Sequence, residues 1–297
     1  RGIYECKVNG LEITNRLLNP GLTQYDKRLN YQTYDITDKL QGDVNGIGVT
    51  LSSGWWSDAQ TFTVRNYNYF GDKESLLAKV LITYEDGSED VFVTNTDSWK
   101  YYGEGPYEYA SFFMGETYDA RKAEVYEEYS KGDYDDSSWE RPVEVTPVAI
   151  DKFRAMPPGF GRSWPAVNES EPEYIGEYDA PVYVVDKLVA KSRTEVEPGV
   201  YIYDLEQNTA GVPRIRFHEK PGTKVIMRYA EVLYPDMPEY AGNENKIMTE
   251  NYRDATSTDI YICHGEKEGE IYQPKFTLHG YRYIEISGVE NPPTLEE

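Results

Sequence analysis

The stretch PKFTLHGYRYIEISG, residues 274–288, holds His279, one of three histidines in the chain, with Arg282 three positions on. An imidazole beside a guanidinium can act as an acid/base pair. A nucleophilic triad also needs a Ser or Cys held within reach of an activated base, and no sequence signature marks one. Tyr281, Tyr283 and Glu285 alternate with Arg282, Ile284 and Ile286, which is the pattern of a strand. Gly280 lets such a strand bend or approach another backbone. On these residues alone, an acid/base pair and a plain strand both stay open. His279 is expected to bond a neighbouring loop such as 204–208, and Arg282 to pair with a carboxylate, Asp204 or Glu231. If that pair is buried, loss of one partner costs about 3–5 kcal/mol.

The other nucleophile candidates are Cys6 and Cys263, the two cysteines of the chain. Their spacing fits no metal or redox motif, and two free thiols are expected. The charge is strongly acidic, 30 Lys+Arg against 52 Asp+Glu, net -22. A phosphate backbone and an anionic bilayer surface would both be repelled, so neither nucleic acid nor membrane is an expected partner. Solubility is the plain reading of the excess. Neutral ligands and divalent cations stay open. No apolar run is long enough to span a bilayer. The chain opens on RGIYECKVNG, which reads as the middle of a strand, so residues are expected before Arg1. The compartment stays open between periplasmic, extracellular and cytoplasmic.

The elements that must position these residues are almost all strands. β-rich runs occur at 3–8, 46–51, 76–84, 90–94, 182–185, 199–204, 213–217, 223–229, 259–263 and 281–287. Turn signals bound them at Asn9-Gly10, Asp86-Gly87, Pro198-Gly199 and Pro221-Gly222. The 28 tyrosines suit half-buried pleated surfaces. Thr37 is placed to cap a single helical turn at 38–40, with Gly42 ending it in the left-handed region. A second helical piece is expected within 117–130. The Pro-rich segment around AMPPGFGRSWPAVNESEP reads as a linker. The chain is thus read as all-β, with a module at 1–145, a Pro/Gly-rich linker or crossover at 146–180, and a second β-sandwich domain at 181–297.

The order of motifs in the first module is more specific than its fold. NPGLTQYDKRLNYQTYDIT is followed by SSGWWSD, YEDGS, TDSWK, GETYDAR and DDSSW. In this order they resemble the N-terminal module of bacterial α-L-rhamnosidases of the inverting glycoside hydrolase type. The resemblance implies a jelly-roll, galactose-binding-like domain. In that family the module can bind L-rhamnose with calcium. The implied sugar-binding residues are Trp55, Trp56, Asp58, Asn66, Asn68, Glu116, Tyr118, Asp119 and Arg121. Aromatic faces suit the C–H surface of the sugar, and carboxylates and amides suit its hydroxyls. The implied calcium ligands are Asp26, Asp58, Asn66, Asn68, Glu116 and Asp119, since calcium takes six to eight oxygens at about 2.3–2.6 Å. Each has a plainer role. One of Trp55 and Trp56 is expected in the core and the other outside. Glu116 and Arg121 can form a loop-holding ion pair, and Asn66 and Asn68 can be turn formers.

The second half carries GVYIYDLEQNTAGVPRIRF, PGTKVIMRYAEVL, ATSTDIYICHG and PKFTLHGYRYIEISG. This series is similar to the β-domain that follows in the same family. It departs at Glu206, where the family usually has Gly, which puts the tight turn there in question. The resemblance implies that the hydrolytic carboxylates belong to a helical barrel of the same parent chain that follows this β-domain. Inverting hydrolysis uses two carboxyls roughly 6.5–9.5 Å apart, and nothing in this sequence marks such a pair. Three readings follow: a non-catalytic forepart with a rhamnose site and L-rhamnose-containing glycosides as partners, a purely structural pair of β-domains, and a self-contained glycoside hydrolase.

Overall fold

The computed structural model describes residues 1–25, 27–59, 68, 70–145 and 171–297. Asp26, Asn66 and most of the expected linker lie outside the described residues. The fold is all-β, as the alternation predicts. Its first strands are β1 (Ile3–Val8), β2 (Leu11–Glu12), β3 (Arg28–Tyr31), β4 (Ile47–Ser52), β5 (Lys79–Thr83), β6 (Glu89–Val93), β7 (Tyr107–Ser111), β8 (Gly115–Asp119) and β9 (Glu173–Gly176). There follow β10 (Ser192–Glu197), β11 (Val200–Gly211), β12 (Ile215–Phe217), β13 (Lys224–Ala230), β14 (Val232–Leu233), β15 (Ile247–Met248), β16 (Thr258–Ile262), β17 (Glu270–Tyr272) and β18 (His279–Ser287). Ala123–Glu128 is a short helix within the expected 117–130.

Local chemistry sets several turns. Asn9 and Gly10 both have positive φ, 51° and 82°, and join β1 to β2 in the two-residue form that Asn-Gly favours. The short helical turn spans Thr37–Lys39. Thr37 does not cap it, and no other side chain does; Asp35 Oδ1 accepts the Thr37 N–H at 3.0 Å and the Thr37 hydroxyl at 2.7 Å just ahead of it. Glu206 holds the tight turn in β11 despite its side chain, with φ 57°. Its N–H donates to Asp204 Oδ1 at 2.7 Å.

The main sheet has seven strands in the order β10-β11-β18-β13-β16-β8-β7. This sheet takes strands from both sides of the expected boundary near 145. β8 of the first module pairs in parallel with β16 of the second, Thr117 opposite Ile260 and Asp119 opposite Ile262. The expected linker is not all connection either. β9 pairs in parallel with β3, and Glu177 accepts from Gly21 N–H and Gln32 Nε2, each at 2.8 Å. The expected strand 182–185 forms no strand, only a single bridge between Val182 and Leu17. In both places a partner strand decided the outcome, and local pattern carries no information about that.

One face of the main sheet builds the larger core from Tyr203, Val225, Met227, Tyr229, Ile284 and Ile286, covered by Phe217 and Tyr272 of the β12–β17 pair. Tyr281 joins this core rather than sharing a face with Tyr283, which packs against Ile202, Ala230 and Ile247. The register shift in β11 between Asp204 and Thr209, opposite this point of β18, accompanies the switch. A smaller core joins the two halves of the chain through Ile3, Phe112 and Phe276.

Candidate functional site

The GWWSD segment folds as a single helical turn, Gly54–Ser57. Trp56 is 1% exposed, and its indole N–H donates to the Lys73 carbonyl at 2.8 Å. The ring meets Tyr25 edge-on at 5.4 Å. Trp55 is half-buried and stacks on Phe112 at 4.4 Å. One tryptophan is therefore in the core and the other is partly covered rather than outside. Asp58 is 1% exposed. Its oxygens accept from Ala59 N–H at 2.7 Å, Ser111 hydroxyl at 3.0 Å and Phe112 N–H at 2.7 Å. Burial pushes its pKa up, against those hydrogen bonds.

Glu116, on β8, is 1% exposed as well. Its Oε2 accepts the N–H groups of Lys275 at 3.1 Å and Phe276 at 3.0 Å, and Oε1 accepts the Tyr272 hydroxyl at 3.1 Å. Burial, then the charge of Asp259, raises its pKa to about 8. Arg121 does not pair with Glu116. It forks onto Asp119 with contacts of 2.9 and 2.8 Å, which holds the Asp119 carboxyl below its usual range. Tyr118 packs its ring against Tyr107 at 4.8 Å and Tyr261 at 6.0 Å. Asn68 is exposed in a left-handed turn, φ 56°, and its N–H donates to the Ser57 carbonyl at 2.9 Å.

This geometry does not fit a calcium shell built on Asp58, Glu116 and Asp119. Each carboxylate is buried and already accepts three hydrogen bonds or a forked guanidinium. Calcium needs six to eight oxygens on one point, and no group of three His, Cys, Asp or Glu side chains among the described residues could hold a metal. Asp26 and Asn66 lie outside the described residues.

The histidine of the opening stretch sits in a different cluster from the one expected. His279 Nε2 lies 3.0 Å from Asp259 Oδ2, and Nδ1 lies 3.1 Å from the Ser257 hydroxyl. The loop 204–208 is not its partner. A carboxylate accepts, so Nε2 donates to Asp259, while Nδ1 meets the Ser257 hydroxyl. The ring stacks on Tyr229 at 3.9 Å, whose hydroxyl also donates to Asp259 Oδ2, at 2.6 Å. Asp259 Oδ1 accepts the Glu116 N–H at 2.8 Å. The sequence reading missed Ser257 and Asp259; both lie in ATSTDIYI, where the only signal was a strand. The order Ser–His–Asp is that of a nucleophile, base and orienting acid. Exposures of 6%, 3% and 0% for Ser257, His279 and Asp259 keep any substrate from the hydroxyl. The cluster satisfies buried polar groups and ties β8 to β16 and β18. Arg282 forks onto Asp204 at 2.7 and 2.8 Å, one of its two expected partners. The pair is partly exposed, 37% and 19% for the two side chains, so the cost expected for a buried pair does not apply.

Cys6 and Cys263 are free thiols, as the spacing suggested. Burial pushes both up to about 12, which leaves them unreactive near neutral pH.

Residues 1–158 match the model of the α-L-rhamnosidase N-terminal domain, and residues 194–297 match the bacterial α-L-rhamnosidase concanavalin-like domain. An α-L-rhamnosidase of Streptomyces avermitilis is 34% identical over 99% of this chain and 25% of its own length. One from Alteromonas sp. (strain LOR) is 33% identical over 98% of this chain and 28% of its own length. The structure of the Streptomyces avermitilis enzyme complexed with L-rhamnose superposes with a TM-score of 0.80 at 33% identity, over 98% of this chain and 25% of that one. The Dictyoglumus thermophilum α-L-rhamnosidase gives a TM-score of 0.78 at 33% identity, over 99% and 28%. The chain thus spans about a quarter of the length of the curated relatives it matches. By both domain matches and by these likenesses, the chain belongs to the bacterial α-L-rhamnosidase family, of which it carries the N-terminal domain and the concanavalin-like domain.

Proposed function

We propose that this chain is the non-catalytic β forepart of an α-L-rhamnosidase and that it braces the helical barrel in which the parent protein hydrolyses terminal L-rhamnose from glycosides. The observation that carries this reading is the shared sheet. β7 and β8 from one half hydrogen-bond into the strands of the other, and Glu116 and Asp259 lock the junction from opposite sides. A joint that stiff suits a brace better than two modules swinging on a linker. The buried carboxylates Asp58, Glu116, Asp259 and Glu270 are engaged as acceptors of internal N–H and O–H groups. That is a structural use of acids, whereas inverting hydrolysis needs two carboxyls facing each other across a water. An aryl α-L-rhamnoside assay on the parent protein and on this 297-residue chain tests the reading. Turnover by the parent alone is expected, and turnover by this chain would overturn it.

A rhamnose site with calcium in the first module is the second reading. Its support is a pair of buried polar atoms, Tyr25 hydroxyl and Asn30 Oδ1, without a hydrogen-bond partner. Such atoms cost free energy unless something meets them. Tyr25 packs on Trp56. Calorimetry with L-rhamnose, with and without calcium, decides it; no heat in either condition removes the site.

A further inference from the structure

The chain has two Asn-Gly dipeptides, Asn9-Gly10 and Asn45-Gly46, and folding ties them together. β1 and β4 run antiparallel with Val8 opposite Ile47, so both dipeptides lie at the same end of this strand pair. The Asn9 carboxamide bridges the second dipeptide. Its Oδ1 accepts the Gly46 N–H at 2.9 Å, and its Nδ2 donates to Asn45 Oδ1 at 2.7 Å and to the Lys39 carbonyl at 2.9 Å. Asn45 Oδ1 also accepts the Gln41 N–H at 2.7 Å. The Asn9 N–H donates to the Gly46 carbonyl at 3.0 Å. Gly46 is wedged against the chain just past the short helix, where a Cβ would lie 2.5 Å from the Ser130 carbonyl oxygen.

Asparagine followed by glycine is open to succinimide chemistry, because glycine places no side chain in the way of its own nitrogen. The Gly46 nitrogen gives its proton to solvent base and attacks Asn45 Cγ. A C–N bond forms, the Cγ–Nδ2 bond breaks, and ammonia leaves with a proton taken from water. Water then opens the ring at either carbonyl and leaves aspartate or isoaspartate. One water is consumed, one ammonia is released, and nothing is oxidised or reduced.

We propose that Asn45 is a latent site of this deamidation and that the Asn9 carboxamide keeps it closed. Attack requires the Gly46 nitrogen to swing onto Cγ, and ring closure depends steeply on that alignment. Here the nitrogen and the Asn45 side-chain oxygen are both pinned to one amide, and the Ser130 backbone bars Gly46 from turning. The leaving group is not restrained in the same way. Asn45 is exposed, and its Nδ2 reaches the Gly42 carbonyl at 3.5 Å, beyond ordinary hydrogen-bond length. Asn9 is half-buried, and the N–H of Gly10, its own attacking group, donates to the Ser130 hydroxyl at 3.2 Å. Conversion of Asn9 itself would set a carboxylate against Asn45 Oδ1 and the Lys39 carbonyl, two acceptors, and so release Asn45 in turn. None of this depends on the chain acting as a brace.

Peptide mapping by mass spectrometry tests it, on the 297-residue chain incubated warm at mildly alkaline pH, folded or in urea. The readout is the mass gain of amide-to-acid conversion at Asn45, with isoaspartate resolved by elution. Conversion in the folded chain is expected to be several-fold slower than in urea. Asn9→Gly suits the left-handed φ of 51° at this position and removes the carboxamide. It is expected to speed conversion at Asn45 several-fold while circular dichroism shows the fold intact. Asn9→Asp, which mimics the converted guard, gives the same readout should the glycine variant not fold. Equal rates at Asn45 in the folded and unfolded chain overturn the proposal. So does a rate in the folded variants that matches the parent sequence, or one that falls below it, which would make the Asn9 carboxamide a promoter.

Discussion

Glu116 Oε2 accepts the N–H of Phe276 at 3.0 Å, across 160 positions of sequence. One carboxylate of the N-terminal domain thereby holds the loop that leads into the last strand of the concanavalin-like domain. The same glutamate gives its own N–H to Asp259. The junction combines these buried hydrogen bonds with ion pairs of Lys275 to Glu5 and Glu12.

Glu116→Gln is expected to keep the fold. The amide oxygen can take the two backbone N–H groups, and the NH₂ can donate to the Tyr272 oxygen, whose hydroxyl rotates to suit. Glu116→Ala leaves two buried N–H groups unmet, at about 1–3 kcal/mol each. Urea unfolding of the two variants should separate them clearly.

The same residue sets a pH dependence. Its folded pKa of about 8 lies above the ordinary 4.5, so the folded state holds a proton that the unfolded state releases. Its contribution is full below about pH 4.5 and is lost as pH rises towards 8. The Gln variant should show a flatter stability profile between these values. Equal slopes for both proteins would refute the assignment.

Gly115 is where β8 meets β16. Its φ is +111°, and a Cβ there would lie 2.0 Å from the Thr258 carbonyl oxygen. Gly115→Ala therefore carries backbone strain of about 1–3 kcal/mol in addition to a clash with backbone. A lower denaturation midpoint, with proteolytic cleavage appearing between the two domains, is the expected result.

Glu206 sits in the left-handed region at φ 57°. A side chain there costs roughly 1–2 kcal/mol, and glycine removes that cost. Glu206→Gly should raise the denaturation midpoint, because the Asp204 oxygen still accepts the N–H of residue 206. A fall would mean that the Glu206 side chain contributes more than its backbone costs.

Cys6 and Cys263 should be silent to a thiol reagent at pH 8 while the protein is folded, since burial pushes both to about 12. Both should react on unfolding. Fast labelling of either in the native protein would show that its cover opens.

The sequence by itself determined the β class, the hairpin at Asn9-Gly10, the Arg282–Asp204 pair as one of two options, and the family. These rest on neighbouring residues or on an ordered set of motifs, and local chemistry is enough to read them. It did not reveal that β8 joins β16, that residues 173–176 form a strand on β3, or that Ser257, His279 and Asp259 share one buried cluster. It also offered Asp58, Glu116 and Asp119 as ligands, where folding directs their oxygens inward onto Phe112, Phe276 and Arg121. Whether a carboxylate meets a ligand or a backbone N–H depends on which strand lies across from it. Strand pairing between distant segments is set by packing of the whole chain, so tertiary structure alone decided it.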